Sequence, residues 1–216
     1  MNFELGTLNC DVLVVAALRS EVAGIMERAR VCLVGVGIHG VQERLEQELQ
    51  AGHAPGLILS VGLSGSLDES LATGHLVIAS EVVFGETRFP ARHLETPGIV
   101  ARRGPIYCSP RTVSAREERL EIGRSSGALC VDMESGAVAR VAEAHRIPMA
   151  ALRAIMDSVD DPVAGFDSPR DAVDRACVRE RIRLDLSGPL GEKARRALAQ
   201  LDSALHVLLG LPHRTA

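Results

Sequence analysis

Hydrophobic and polar positions along the 216 residues follow two alternating patterns. Short apolar, β-branched runs predict strands, and stretches with apolar residues at helical spacing predict helices. The predicted strands are Val12–Ala16, Cys32–Val36, Leu57–Val61, Leu76–Val83, Ile106–Cys108, Leu129–Val131 and Ala150–Ile155. The predicted helices are Arg19–Arg28, Val41–Ala51, Ala115–Ile122, Gly136–His145, Pro169–Arg183 and Glu192–Leu209. This alternation predicts one α/β domain over residues 1–216, with a mainly parallel central sheet flanked by helices.

Two segments lack either periodicity. Gly85–Arg103 is the longer, and Asp160–Ser168 lies directly after Asp157. Loops of this length in compact domains tend to be functional lids or disordered segments.

A strand–helix–strand unit carries the first candidate chemistry. Val131-Asp132-Met133-Glu134-Ser135 places a carboxylate at a predicted helix start, and Leu152-Arg153-Ala154-Ile155-Met156-Asp157 ends a buried strand with another. Ligands of α/β sheets bind outside the carboxyl ends of such strands. A single acid there also serves as a helix cap, but two acids and an arginine converging on one edge favour a functional site.

These two segments resemble the paired signatures of the purine nucleoside phosphorylase and nucleosidase superfamily. Leu57–Gly65 is similar to the glycine-bearing strand end of that superfamily, and Asp11–Ala17 followed by Glu21 is similar to its first strand. The superfamily includes methylthioadenosine/S-adenosylhomocysteine nucleosidases. The resemblance implies a mixed, mainly parallel sheet and cleavage of the N-glycosidic bond of a purine nucleoside.

Such cleavage needs a proton for the departing base, a fixed ribose and a nucleophile. The resemblance implies that Asp157 is the general acid, that Glu134 binds the ribose hydroxyls and that Glu21 orients the attacking water. Burial at a strand end raises the pKa of a carboxyl, which suits Asp157 to the acid role. The alternatives are a turn cap for Asp157, a helix-start acid for Glu134 and a solvated charge pair with Arg19 for Glu21.

The remaining substrate contacts follow from the same resemblance. Met133 is expected to pack under the sugar, and Ser64 and Gly65 to approach the ligand at a strand end. Val113 is the nearest candidate for the wall of the base pocket. Gly35-Val36-Gly37 is interpreted as an aid to strand–helix packing.

Two arginines are candidates for supporting roles. Arg153 lies inside a predicted strand, where an unpaired charge is costly, so we expect it to pair with Asp157 or Glu134 beside the substrate. Arg19 is a candidate phosphate ligand, which would make phosphate a co-substrate in place of water.

Composition narrows the class of protein. A formal charge of −4 argues against a nucleic-acid partner, and no apolar run reaches the length of a membrane span. Five cysteines without a CxxC pair predict reduced thiols, and a start without a basic and apolar leader predicts no signal peptide. Both favour the cytoplasm. Seven histidines without paired spacing predict no metal, and no cofactor is expected.

Two departures from the nucleosidase pattern refine the prediction. Met156 stands where a serine usually precedes the acid, and the region between Cys108 and Cys130 lacks the usual phenylalanine that stacks on adenine. These features resemble the hopanoid-associated phosphorylase branch, which is thought to remove adenine from adenosylhopane. The alternatives are a methylthioadenosine/S-adenosylhomocysteine or futalosine hydrolase and a non-catalytic nucleoside-binding module. The resemblance also implies a homodimer, with Gly85–Arg103 nearest the neighbour.

Overall fold

The computed structural model describes residues 10–161 and 188–212. Its strands are β1 (Val12–Ala16), β2 (Arg30–Leu33), β3 (Leu57–Ser66), β4 (Leu76–Phe84), β5 (Thr87–Pro90), β6 (Ala101–Cys108), β7 (Cys130–Asp132) and β8 (Met149–Asp157). The helices are α1 (Val41–Ala51), α2 (Arg116–Ser126), α3 (Ser135–Ala144) and α4 (Gly188–Leu208), with a 3-10 turn at Arg19–Glu21. No helix in this part of the chain is long and apolar enough to cross a membrane.

The eight strands form one mixed sheet in the order β2-β1-β3-β7-β6-β4-β5, and β8 pairs with both β3 and β4. The pairs β1–β2, β1–β3, β3–β8, β4–β6 and β6–β7 are parallel, whereas β3–β7, β4–β5 and β4–β8 are antiparallel. Strands β3, β8, β4, β6 and β7 therefore close into a ring. The predicted α/β class and mainly parallel sheet are confirmed.

Both faces of the sheet are buried, because side chains alternate along each strand. Leu13 and Val15 of β1 pack on one face with residues of α1 and α3, while Val14 and Ala16 pack on the other with α4. Aliphatic side chains dominate both cores, in keeping with an aromatic content of 2%.

One predicted helix, Arg19–Arg28, is wrong beyond its first turn. The structure has a 3-10 turn at Arg19–Glu21 and then irregular turns. The side chain of Glu21 accepts the backbone N–H of Leu18, which closes a tight turn. Gly24 lies against α4, where an added Cβ would fall 1.9 Å from an oxygen of Asp202. Apolar residues here face α4 without forming a regular helix.

The prediction of a loop over Gly85–Arg103 is wrong in part. Thr87–Pro90 forms β5, an antiparallel partner of β4 across a turn at Gly85, and β6 begins at Ala101. The proline at the end of β5 lies on the sheet edge, where a missing N–H is tolerated. The predicted helix Pro169–Arg183 and residues 162–168 of the second loop lie outside the described residues.

Candidate active site

The candidate site follows the second half of β3, from Gly62 to Gly65. Glu21 reaches it from the turn after β1 and is 5% exposed. Its Oε1 accepts the N–H of Leu63 at 2.9 Å, and its Oε2 accepts the N–H of Leu18 at 2.8 Å. A Cβ at position 62 would lie 2.8 Å from Oε1, so glycine there permits this approach of the carboxylate to the strand.

Asp157 ends β8 and stands opposite Gly65, where the pairing of β3 with β8 is irregular. The side chain is buried, and its Oδ2 accepts a hydrogen bond from Nη2 of Arg119 on α2. Burial raises the pKa of Asp157, and the Arg119 guanidinium offsets part of that rise. Sequence reasoning missed Arg119 because it lies in a polar helix 38 positions before its partner.

Glu134 stands at the N-cap of α3, as predicted for an acid at a helix start. Its Oε1 accepts the N–H of Gly37, which has a left-handed φ of +86°. Met133 is next to this contact, since a Cβ at position 37 would lie 3.9 Å from its Cε. The loop after β2 therefore contacts Glu134, the residue predicted to bind the ribose. This contact is additional to the packing role that the sequence predicted for the loop.

Arg153 has a different partner from the one predicted. Its Nε donates to Oδ2 of Asp132 at 2.7 Å, and its other nitrogens donate to the hydroxyl of Ser60 and to the carbonyl of Leu152. Asp132 in turn accepts the hydroxyl of Ser135 at 2.7 Å. The sequence did not distinguish Asp132 from Asp157 and Glu134 as the partner, because all three acids lie near Arg153 in the chain. Arg153 is 1% exposed and its guanidinium is hydrogen-bonded to other protein groups, so its role is to support the structure around the site.

The electrostatics of the cluster favour protonated carboxyls. Burial raises the pKa of Glu134 to about 8, with the charges of Asp132 and Glu21 adding to the rise and Gly37 and Arg153 opposing it. Burial likewise raises the pKa of Glu21, against hydrogen bonds from Leu63 and Leu18. Carboxyls tuned in this way can carry a proton near neutral pH and, when ionised, stabilise a developing positive charge.

The other candidate residues divide into buried and exposed. Ser64 is 6% exposed and lies within 3.5 Å of the carbonyl of Ala154. Val113 is buried beside Val131, while Arg19 is exposed at the start of the 3-10 turn. Within residues 10–161 and 188–212 no group of three or more histidine, cysteine or acidic side chains could hold a metal ion.

A known protein family matches the part of the chain that contains most of these residues. Residues 90–181 match the family model of the Phosphorylase superfamily, a range that includes Arg119, Glu134, Arg153 and Asp157. Over this range the chain is similar to the Phosphorylase superfamily.

Three similar proteins show how far the likeness to known proteins extends. A 5′-methylthioadenosine/S-adenosylhomocysteine nucleosidase from Staphylococcus haemolyticus is 26% identical, over 48% of this chain and 57% of that protein. The chain therefore spans little more than half the length of this curated relative. The solved structure of the nucleosidase of that name from Neisseria meningitidis, in complex with methylthio-immucillin-A, superposes with a TM-score of 0.71 at 18% identity. The match covers 96% of this chain and 100% of that one.

The fold of a second enzyme is also similar. The native structure of futalosine hydrolase from Helicobacter pylori superposes with a TM-score of 0.65 at 16% identity, over 93% of this chain and 97% of that one. At these identities the superpositions establish the fold, and the chemistry is argued from the residues of this chain.

The raised pKa of Glu134 predicts a pH-dependent stability. The carboxyl titrates near 4.5 in its unperturbed state and near 8 in the fold, so the folded chain binds this proton more tightly. The free energy of unfolding should therefore fall as pH rises between those values. Glu134→Gln removes this loss of stability at high pH and keeps an oxygen that can accept the N–H of Gly37. We expect its Tm to exceed the wild-type value by about 10–20 °C at pH ~8.5 and to converge with it near pH ~5, measured by calorimetry. An equal difference at both pH values would contradict the assigned shift.

Proposed function

We propose that this chain is an enzyme that cleaves the N-glycosidic bond of a 5′-substituted purine nucleoside and releases adenine. The observation that carries the proposal is the grouping of three carboxyls: Glu21 and Asp157 lie against Gly62 and Gly65 of β3, and Glu134 lies close enough to Glu21 for their charges to interact. Their roles are consistent with the names of similar proteins, which include a nucleosidase and a futalosine hydrolase.

Asp157 supplies the proton in the proposed reaction. A purine leaves poorly as an anion, so the acid protonates an imidazole nitrogen of the base while the bond from the anomeric carbon breaks and its electron pair passes to the base. Burial of Asp157 maintains the protonated form that this step requires.

Glu134 and Glu21 act on the sugar side. Glu134 accepts hydrogen bonds from the ribose hydroxyls, and in its ionised form it stabilises the oxocarbenium-like transition state. Glu21 orients a water molecule and accepts its proton as the oxygen bonds to the anomeric carbon. The net reaction consumes one water and releases the base and the free sugar, so it needs no cofactor.

Phosphate is the alternative nucleophile. Arg19 is exposed beside Glu21, where a guanidinium could bind a phosphate dianion. Phosphorolysis would then yield a sugar 1-phosphate in place of the free sugar.

The 5′ substituent is the second open choice within the proposal. We propose a bulky apolar group, as in adenosylhopane, because Met156 and the absence of the usual phenylalanine between Cys108 and Cys130 set this chain apart from the common nucleosidase pattern. A methylthio, homocysteinyl or futalosine-type substituent is the alternative.

One assay tests the reaction, the nucleophile and the substituent together. The purified chain is incubated with 5′-methylthioadenosine, S-adenosylhomocysteine, futalosine and adenosylhopane, with and without phosphate, and free base and sugar products are separated by chromatography. We expect base release from at least one of the three adenine nucleosides. Saturable binding of nucleosides without any base release would instead identify a non-catalytic binding module.

The assembly and the location of the protein stay predictions. We propose a homodimer in which residues near the β4–β5 turn and the start of β6 approach the neighbour, because Gly85–Arg103 remains partly irregular. A cytoplasmic location is consistent with Cys32, Cys108 and Cys130, which are buried free thiols.

A further inference from the structure

Arg119 is the one buried residue of α2, a helix whose other side chains are polar or partly exposed. The residue is 1% exposed, whereas Glu118 and Leu120 on either side of it are only partly buried. Burying an arginine is costly unless its donors are satisfied, so a guanidinium in this place needs several partners.

Its partners all belong to the base side of the candidate site. Nη2 donates to Oδ2 of Asp157, Nε donates to the carbonyl of Val113 at 2.9 Å, and Nη1 donates to the carbonyl of Ser158 at 2.7 Å. One planar group therefore links the proposed acid, the predicted wall of the base pocket and the segment that follows β8.

The facing strand, β3, has a glycine where the side chains of Asp157 and Arg119 meet it. A Cβ at Gly65 would lie 2.8 Å from Oδ2 of Asp157 and 3.4 Å from Nη2 of Arg119. Any larger residue at position 65 would push against the ion pair. Arg119 donates to Oδ2 of Asp157, and among the described residues no donor lies within hydrogen-bond distance of Oδ1.

We propose that Arg119 is a positioning residue for the general acid: it holds Oδ2 of Asp157 so that Oδ1 carries the proton to the purine base. This inference rests on the proposed function. The charge-assisted hydrogen bond fixes the orientation of the carboxyl, and the bond to the Val113 carbonyl fixes the wall of the base pocket relative to it.

The same contact sets the pH range over which the acid works. Of the charged groups around Asp157, Arg119 and Lys193 of α4 lower its pKa and Asp161 raises it, while Arg153 on the same strand is bound to Asp132. Loss of Arg119 would therefore raise the pKa of Asp157 further above its ordinary value. An opposite charge in direct contact shifts a carboxyl by about 1–3 pH units.

The test compares Arg119→Gln and Arg119→Lys with the wild type and with Arg116→Gln. Arg116 lies one turn earlier on α2 and is exposed, with ion pairs to Glu69 and Asp160, so it is the matched control. The measurement is kcat and KM for base release across the pH range, on the best substrate found for the wild type.

For Arg119→Gln we expect the alkaline limb of kcat to move up by about 1–3 pH units. We also expect kcat at its optimum to fall by about 10–100-fold, with KM changed by less than about 3-fold, because orientation is lost rather than binding. Arg119→Lys keeps the positive charge but loses the planar guanidinium. The alkaline limb of its kcat profile should therefore stay near the wild-type position, while kcat at the optimum falls. Arg116→Gln should match the wild type in both.

The outcomes separate this inference from the proposed function. A wild type that releases no base from any nucleoside removes the proposed function itself. If the wild type is active and Arg119→Gln leaves both kcat and the alkaline limb of its pH profile unchanged, the proposed role of Arg119 is wrong while the proposed function stands. If Arg119→Gln does not fold, Arg119→Lys decides: unchanged kcat in that variant contradicts a positioning role for the guanidinium fork.

Discussion

Asp157→Asn should lower the rate of base release by about 10²–10⁴-fold, which is the usual contribution of general acid catalysis. Asparagine keeps the size of the side chain and an oxygen that can accept from Arg119, but it cannot carry the proton that the purine needs. Substrate affinity should fall much less, because Glu134 still binds the ribose. Steady-state kinetics and a binding titration with the same nucleoside separate the two effects.

Asp160→Asn is the matched control for that substitution. Asp160 lies three residues later, is exposed and pairs with Arg116, so its change should leave turnover near the wild-type value. Near-normal turnover in Asp157→Asn would mean that the proton comes from elsewhere. Asp160 and Asp161 would then be the next candidates for the acid.

The second large effect concerns stability. Asp132→Ala removes the counter-ion of Arg153, and the two side chains are 0% and 1% exposed. Breaking a buried pair from one side commonly costs about 3–5 kcal/mol, because the remaining charge stays in the interior without compensation. We expect the free energy of unfolding to fall by that amount in urea denaturation at neutral pH.

The double variant Asp132→Ala with Arg153→Met isolates the cause of the loss. It removes both charges, so much of the lost stability should return. If the double variant is as unstable as Asp132→Ala, the loss comes from the cap that Asp132 provides for Ser135 and not from the unpaired arginine. If Asp132→Ala costs less than about 1 kcal/mol, the ion pair does not stabilise the fold as described.

Features with a local signal could be predicted from the sequence. Asp157 ends a β-branched, apolar run, and Glu134 precedes a helix with apolar residues at regular spacing, so both elements and the positions of both acids followed from short segments. The alternation of strands and helices likewise predicted a central sheet flanked by helices.

Contacts between distant segments carried no such signal. Arg119 reaches Asp157 across 38 positions and Gly37 reaches Glu134 across 97, so only the folded arrangement shows them. The partner of Arg153 was missed for the same reason, since three nearby acids were equally available in the sequence. Local propensity also failed at Arg19–Arg28, where packing on α4 overrides a helical pattern.

The central claim is that Asp157 protonates the departing purine, and one pair of rates tests it most directly. The rate of Asp157→Asn relative to the wild type is measured on the best adenine nucleoside found for the wild type and on the 4-nitrophenyl glycoside of the same 5-substituted ribose. The nitrophenolate leaves without a proton, so general acid catalysis matters only for the purine. The account predicts a loss of at least about 10²-fold on the nucleoside and a rate within about 3-fold of the wild type on the nitrophenyl glycoside. An equal loss on both substrates would contradict a proton-donor role for Asp157.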